Sequence, residues 1–171
     1  MILTGSQIQK EVESGRIMID PFDEACVNPN SYNYHLGSTV WAATGDVLDA
    51  AREPELVQVQ IGGDGLLLHP GRLYLGHTAE IIGSEVFVTS LIGRSSVGRL
   101  GLYLQLSADL GHQGAVHGWT LELTAIQTLR VYAGMRVGQV SFWSTQGPSA
   151  LYRGAYATTS LPATHRSAAF E

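Results

Sequence analysis

Between residues 17 and 143 the apolar side chains recur at every second position, in short runs that Gly, Pro and Asp keep interrupting. A period of two places alternate side chains on opposite faces of an extended strand, whereas a helix needs a period of 3.6. Tyr32, Tyr34 and Leu36 alternate and Gly37 closes the run. Val57, Val59 and Ile61 alternate before Gly62-Gly63-Asp64-Gly65, and Leu66 to Leu68 follow at once, which predicts a hairpin. Further strands are predicted over Ile17 to Ile19, Leu73 to Leu75, Val86 to Leu91, Leu102 to Leu106, Trp119 to Leu123, Leu129 to Tyr132 and Gly138 to Trp143. Many short strands with turn residues between them predict an all-β barrel or jelly roll. Residues 4–14 form the one convincing helix: Thr4 and Gln7 have capping-box spacing, Ile8 and Val12 lie one turn apart, and Gly15 supplies the stop.

A chain of 171 residues with no repeat and no internal boundary is read as one domain, 1–171, large enough for a real core. With 15% charged residues and 20 glycines it fits a turn-rich β protein, and so few charges suggest surface hidden against other subunits. Net charge is −5 and no block of Lys or Arg occurs, which argues against binding a nucleic acid polymer. A few arginines in one pocket can still hold a small anion. The single cysteine, Cys26, allows no intrachain disulfide and fits a reducing cytoplasm. Met1 to Ser6 lacks a basic stretch leading into an apolar one, so no signal peptide is expected, and no apolar run approaches the roughly 20 residues of a membrane span. The Ala-, Thr- and Ser-rich tail over 152–171 reads as mobile, or as ordered by a ligand alone.

Chemistry concentrates in two places. Gly93-Arg94-Ser95-Ser96-Val97-Gly98-Arg99-Leu100-Gly101 sets two arginines around paired serines and a glycine. Guanidinium groups, hydroxyls and backbone N–H donors in that order can meet phosphate oxygens; equally, the segment can be a polar connection between strands with exposed arginines. Glu122 lies in Trp119-Thr120-Leu121-Glu122-Leu123 with apolar neighbours. It either points to solvent or sits in a cleft, where desolvation would favour proton transfer. His112 and His117 stand in a Gly-rich stretch without the spacing of a metal site. One cysteine also excludes the zinc deaminase signature, which needs two in P-C-x-x-C.

Taken in order, GRSSVGRLG, LQLSA and TLEL resemble the dCTP deaminases, the deaminating branch of the dUTPase superfamily. The resemblance runs along nearly the whole chain. It includes the opening MILTGSQIQKEVESGRIMIDPFDE, and residues 28–37, which are similar to the family's P-x-S-x-D-x-x-L-G with Asn33 where Asp is usual. Leu68-His69-Pro70-Gly71 matches the family's L-x-P-G, and residues 133–139 resemble its P-G-M-x-I-G-Q segment. The resemblance implies a β-clip, dUTPase-like distorted jelly roll with a short N-terminal helix. It further implies a homotrimer with active sites shared between neighbours, and hydrolysis of the cytosine 4-amino group of dCTP to dUTP and ammonia. Mg²⁺ would be carried on the nucleotide phosphates and zinc would not be used. Glu122 falls on the general acid/base position, and Ser95 and Arg99 on the groups that orient water and polarise the base. Arg94, Ser96, Val97 and Gly98 fall on the phosphate- and base-binding loop, and Ala108 on a residue whose backbone faces the base. His112, Thr120, Leu121 and Tyr152 complete the substrate-binding set.

Two departures bear on the reaction. His112 in Gly111-His112-Gln113-Gly114 replaces the Asp that, in dUTPases and bifunctional members, activates the water attacking the phosphate chain, which argues against dUTP hydrolysis. The tail segment usually reading K-Y-x-x-Q is Leu151-Tyr152-Arg153-Gly154-Ala155; a cation and an amide are lost, and Arg153 or Arg166 would have to substitute. These changes leave open a different cytosine nucleotide, a non-catalytic nucleotide-binding homologue, and a dUTPase-like pyrophosphatase.

Overall fold

In a computed structural model, residues 1–45, 47–104, 108–154 and 157 are described. They form two antiparallel sheets and a two-stranded ribbon. Helical structure is confined to α1 (Gly5–Glu13), a 3₁₀ turn (Glu24–Cys26) and the single turn α2 (Ser95–Gly98). The first sheet runs β5 (Leu56–Gln60), β4 (Thr39–Ala43), β7 (Leu73–Gly83), β11 (Val116–Ala125), β9 (Leu102–Tyr103), with β1 (Met18–Asp20) also paired to β7. The second runs β10 (Leu110–Gly111), β8 (Val88–Gly93), β13 (Arg136–Trp143), β3 (Ser31–His35), β2 (Val27–Asn28). The ribbon joins β6 (Leu66–Leu68) to β12 (Leu129–Val131). Among the described residues no helix is long and apolar enough to cross a membrane.

The all-β expectation holds, and so does the N-terminal helix, although its cap is half of the expected one. Thr4 Oγ1 accepts the Gln7 N–H at 3.3 Å, but the Gln7 side chain donates onward to Glu11 Oε1 at 2.7 Å rather than back to the cap. Glu11 is buried and pairs with Arg16, whose guanidinium holds the carboxyl below its usual range. The expected hairpin over 57–68 is not formed. Its turn exists, with Gly65 N–H donating to Gly62 at 2.9 Å, but β5 pairs with β4 and β6 pairs with β12. The two strands differ in what they bury: Val57 on β5 is half exposed, while Leu68 is wholly enclosed in the core. The strand expected over 102–106 is described to Leu104 and paired over Leu102–Tyr103; residues 105–107 lie outside the described residues, as do 155–156 and 158–171 of the tail.

Between the sheets, Tyr32, Tyr34, Leu91, Leu121, Leu123, Val140 and Phe142 are enclosed. Tyr34 crosses Gly138, where a Cβ would come within 2.0 Å of its ring, and its hydroxyl donates to Ile92 O at 3.0 Å. Burial pushes this phenol far above its ordinary range. Asn33, also buried, donates to Asn28 Oδ1 at 3.3 Å and accepts from Gln139 at 3.4 Å. An amide can do both, whereas an Asp carboxylate could only accept.

β7 is the strand that joins everything. One edge carries β11; the other carries β4 at its start and β1 at its end. Pairing with β11 jumps from Gly118↔Ile81 to Thr120↔His77, so Trp119 alone faces Thr78, Ala79 and Glu80. In this bulge Thr78 Oγ1 accepts the Trp119 N–H at 2.9 Å, and Glu80 turns to the second sheet. There it accepts the backbone N–H of His35 at 3.0 Å and forms a short bond with His35 Nδ1. Glu80 is 2% exposed. Removing the imidazole strands a buried acceptor, so His35→Ala is expected to cost about 2–3 kcal/mol. Chemical denaturation of His35→Ala against Lys10→Ala, an exposed helix position expected to stay within about 0.5 kcal/mol, measures it.

Candidate active site

Beyond the bulge β11 resumes strict alternation. Leu121 and Leu123 enter the core completely, while Thr120 and Glu122 are half-buried on the other face. That face floors a cleft of about 850 Å³. β4 and β7 supply one wall, with Trp41 and Leu75 in register with each other and Leu75 opposite Glu122. The second wall is the segment leading into β11, with Ala108 and His112, and the start of the tail, with Tyr152. Glu122 is thus a cleft residue and not an outward-pointing strand residue. Among the described residues lining the cleft it is the one carboxylate, and Arg72 is the one Lys or Arg. The cleft is therefore weakly charged and largely apolar.

The second wall is stiffened from behind. Gln113 is buried and donates to Val86 O at 2.6 Å, and Gly114 donates to Ser84 O at 2.8 Å. Gly114 has φ +90, and a Cβ there would press against Leu151 and Tyr152 at 3.2–3.3 Å. Both conditions favour glycine. The beginning of the tail lies in the space so left. Tyr152 N–H donates to Gln113 O at 2.7 Å, Val116 N–H donates to Ala157 O at 3.3 Å, and the Tyr152 and His112 rings are 5.3 Å apart. At these positions the tail is bonded to the chain's own backbone. His117 is buried deeper, with its ring 4.3 Å from that of Trp119 and Nδ1 bonded to Gly118 O at 3.0 Å.

The arginine-serine loop lies elsewhere. After β8 the chain makes one helical turn, α2, closed by Gly98 N–H to Arg94 O at 2.9 Å and Arg99 N–H to Ser95 O at 3.0 Å. Val97 anchors it in the core, leaving Ser95, Ser96 and Arg99 exposed. Arg94, Ser95 and Gly98 border a shallow depression with Tyr103 and Asp109. One chain thus gathers Ala108, His112, Thr120, Glu122 and Tyr152 at a single cleft, whereas Arg94, Ser95 and Gly98 border a second depression, with Ser96 and Arg99 exposed at the same α2 turn. Leu121 and Val97 have core side chains, so their backbones alone can meet a ligand. Trp41, Leu75 and Arg72 are cleft residues that sequence reading missed. Their strands reach Glu122 through pairings between distant segments, and no local signal marks them.

Cys26 has no place at either surface. It is buried near His35, with Sγ 3.8 Å from Nε2, and burial raises its thiol pKa. Among the described residues no group of three or more His, Cys, Asp or Glu side chains is arranged to hold a metal ion.

Comparison with known proteins bears on the family and the fold. A family model described as dCTP deaminase-like matches residues 2–145. A Clostridium beijerinckii protein named "dCTP deaminase, dUMP-forming" is 41% identical over 89% of this chain and 87% of its own length. A Rhodopirellula baltica protein named "dCTP deaminase" is 42% identical over 87% of this chain and 75% of its own. The crystal structure of 2'-deoxycytidine 5'-triphosphate deaminase from Agrobacterium tumefaciens superposes with a TM-score of 0.66 at 20% identity, over 82% of this chain and 47% of that one, a likeness of fold. Sequence and architecture agree, and the chain belongs to the dCTP deaminase-like family.

Proposed function

We propose that this chain is an enzyme that hydrolyses the 4-amino group of a cytosine nucleotide, dCTP or a close relative, releasing ammonia and a uracil nucleotide. The observation that carries this is Glu122, a single carboxylate half-buried on the floor of a largely apolar, nucleotide-sized cleft. Cytosine C4 is a poor electrophile until N3 is protonated. A carboxylate that takes a proton from water and hands it to N3 performs both tasks, and neighbouring Thr120 and the backbone of Ala108 can orient the ring. Such a scheme uses no zinc. A magnesium ion would arrive on the nucleotide phosphates, where it neutralises charge.

Stabilising the tetrahedral intermediate requires a fixed cation and a hydroxyl, which Arg99 and Ser95 would supply. Both belong to the α2 turn, and neither lines the cleft that holds Glu122. The two surfaces become one site if chains associate so that the α2 turn of one faces the Glu122 cleft of another, as in a closed homotrimer. The relatives' names divide on the product. The Clostridium protein is named dUMP-forming, which favours dUMP, whereas His112 in place of the expected Asp had pointed to dUTP.

Glu122→Gln keeps shape and loses basicity. Ammonia release from dCTP is expected to fall by at least about 10²-fold with thermal stability unchanged; near-normal turnover would remove Glu122 from the mechanism and leave it a surface residue. Arg99→Ala should be equally inactive alone. Mixing the two inactive variants under conditions of subunit exchange is expected to restore roughly a quarter of wild-type ammonia release, because one in four subunit pairs then combines an intact Glu122 with an intact Arg99. Sedimentation should give three chains of 18.4 kDa, about 55 kDa in all. A monomer, or no recovery on mixing, would overturn the shared site.

A further inference from the structure

We infer that His117 reads the sugar of the bound nucleotide: its Nε2 accepts a hydrogen bond from the 3′-hydroxyl and makes the cleft select for a sugar that carries one. The inference rests on the nucleotide reading above and deepens it by naming a residue that decides which nucleotides are accepted.

His117 is 7% exposed, yet it lines the cleft. Its Nδ1 lies 3.0 Å from Gly118 O. A carbonyl can only accept, so Nδ1 carries the proton and, in the neutral ring, Nε2 holds the lone pair. Among the described residues Nε2 has no hydrogen-bond partner. No fully enclosed side-chain nitrogen or oxygen among them lacks one, so Nε2 keeps an opening onto the cleft. The ring is also fixed in place. It packs against Trp119 with 4.3 Å between centroids, and Trp119 is itself clamped. Its backbone N–H donates to Thr78 Oγ1 at 2.9 Å and its indole N–H to Ile82 O at 2.8 Å. The indole also crosses Gly111, where a Cβ would come within 2.3 Å of it. A buried acceptor held this firmly, and left unpaired by the described protein groups, marks the place of a donor on the ligand.

The chemistry of a cytosine nucleotide identifies that donor. Ionised phosphates, the ring carbonyl and N3 only accept, and the 4-amino group stands at the reacting carbon, beside Glu122. The sugar hydroxyls remain, and in dCTP that is the 3′-hydroxyl. The spacing suits this assignment. Glu122 and His117 lie on one strand, five residues apart and on either side of the bulge. At about 3.3 Å per residue their Cα atoms are separated by at most roughly 16 Å, a gap that two cleft-lining side chains and a nucleoside fill. Base and sugar are thus gripped from the same strand.

The test compares dCTP with 2′,3′-dideoxycytidine triphosphate, which lacks that hydroxyl, on the full-length protein with Mg²⁺. The readout is the ratio of the two kcat/KM values for ammonia release, taken on one preparation so that the fraction of folded protein cancels. Wild type is expected to favour dCTP by about tenfold, the effect of leaving a buried acceptor unpaired. His117→Phe keeps a ring against Trp119 and removes the acceptor, and the ratio should fall to about one because dCTP alone loses a bond. His117→Gln, which puts back an acceptor, should recover part of the preference. A wild-type ratio near one, or a preference that persists in His117→Phe, would overturn the inference and leave the deaminase reading standing. If wild type releases no ammonia from either nucleotide, the deaminase reading falls, and the same ratio is read from calorimetric dissociation constants. A preference that His117→Phe abolishes then upholds the role of His117, and equal affinities overturn it.

Discussion

At Trp119 one residue of β11 stands against three of β7, and both the core and the cleft depend on that mismatch. The two residues in excess let Glu80 leave the first sheet and grip His35 on the second, which ties the sheets together with a buried polar bond. Because the excess is even, the alternation of faces survives it. Leu121 and Leu123 stay in the core, and Thr120 and Glu122 stay in the cleft. A slip of one residue would exchange the two sets, placing a carboxylate between the sheets and two leucines against a ligand. The position of the candidate acid/base group is therefore a property of strand register, held by groups some distance from it.

Much of this was legible in the residues themselves. The period of two marked most of the strands. Glu122 stood out because a carboxylate interrupts an apolar alternation, and the α2 loop because arginine, serine and glycine crowd into nine positions. What could not be read was partnership. β5 and β6 flank a competent turn, yet they pair with β4 and β12, because a strand's partner is chosen by the faces that must be covered and not by nearness in sequence. β4 escaped notice because Val40-Trp41-Ala42-Ala43 does not alternate, since it is partly covered on both sides. Trp41, Leu75 and Arg72 reach the cleft through such pairings and carry no mark of it locally.

The division of polar groups has the same origin. Glu122 sits in the middle of one sheet, whereas α2 is the turn that ends β8 of the other. Within the cleft the described walls are largely apolar around Glu122 and Arg72, and such surroundings strengthen any interaction a bound nucleotide makes with them. Asn33 shows the complementary case: where the resemblance leads one to expect a carboxylate, an amide meets two other amides, and a buried charge is replaced by a neutral network.

The docking of the tail has an evolutionary reading. Its contacts with the cleft wall at Gln113 and Val116 are made by main-chain groups, which every residue except proline can provide in full. The side chains at 151 and 153 can therefore drift without loosening the strap, and Leu151 and Arg153 are both exposed. Address and content are separate: the backbone fixes where the segment lies, and the side chains decide what it offers to whatever enters the cleft. A lineage can thus retune the phosphate end of its ligand by single substitutions in the strap and keep the sheets, the bulge and the register untouched.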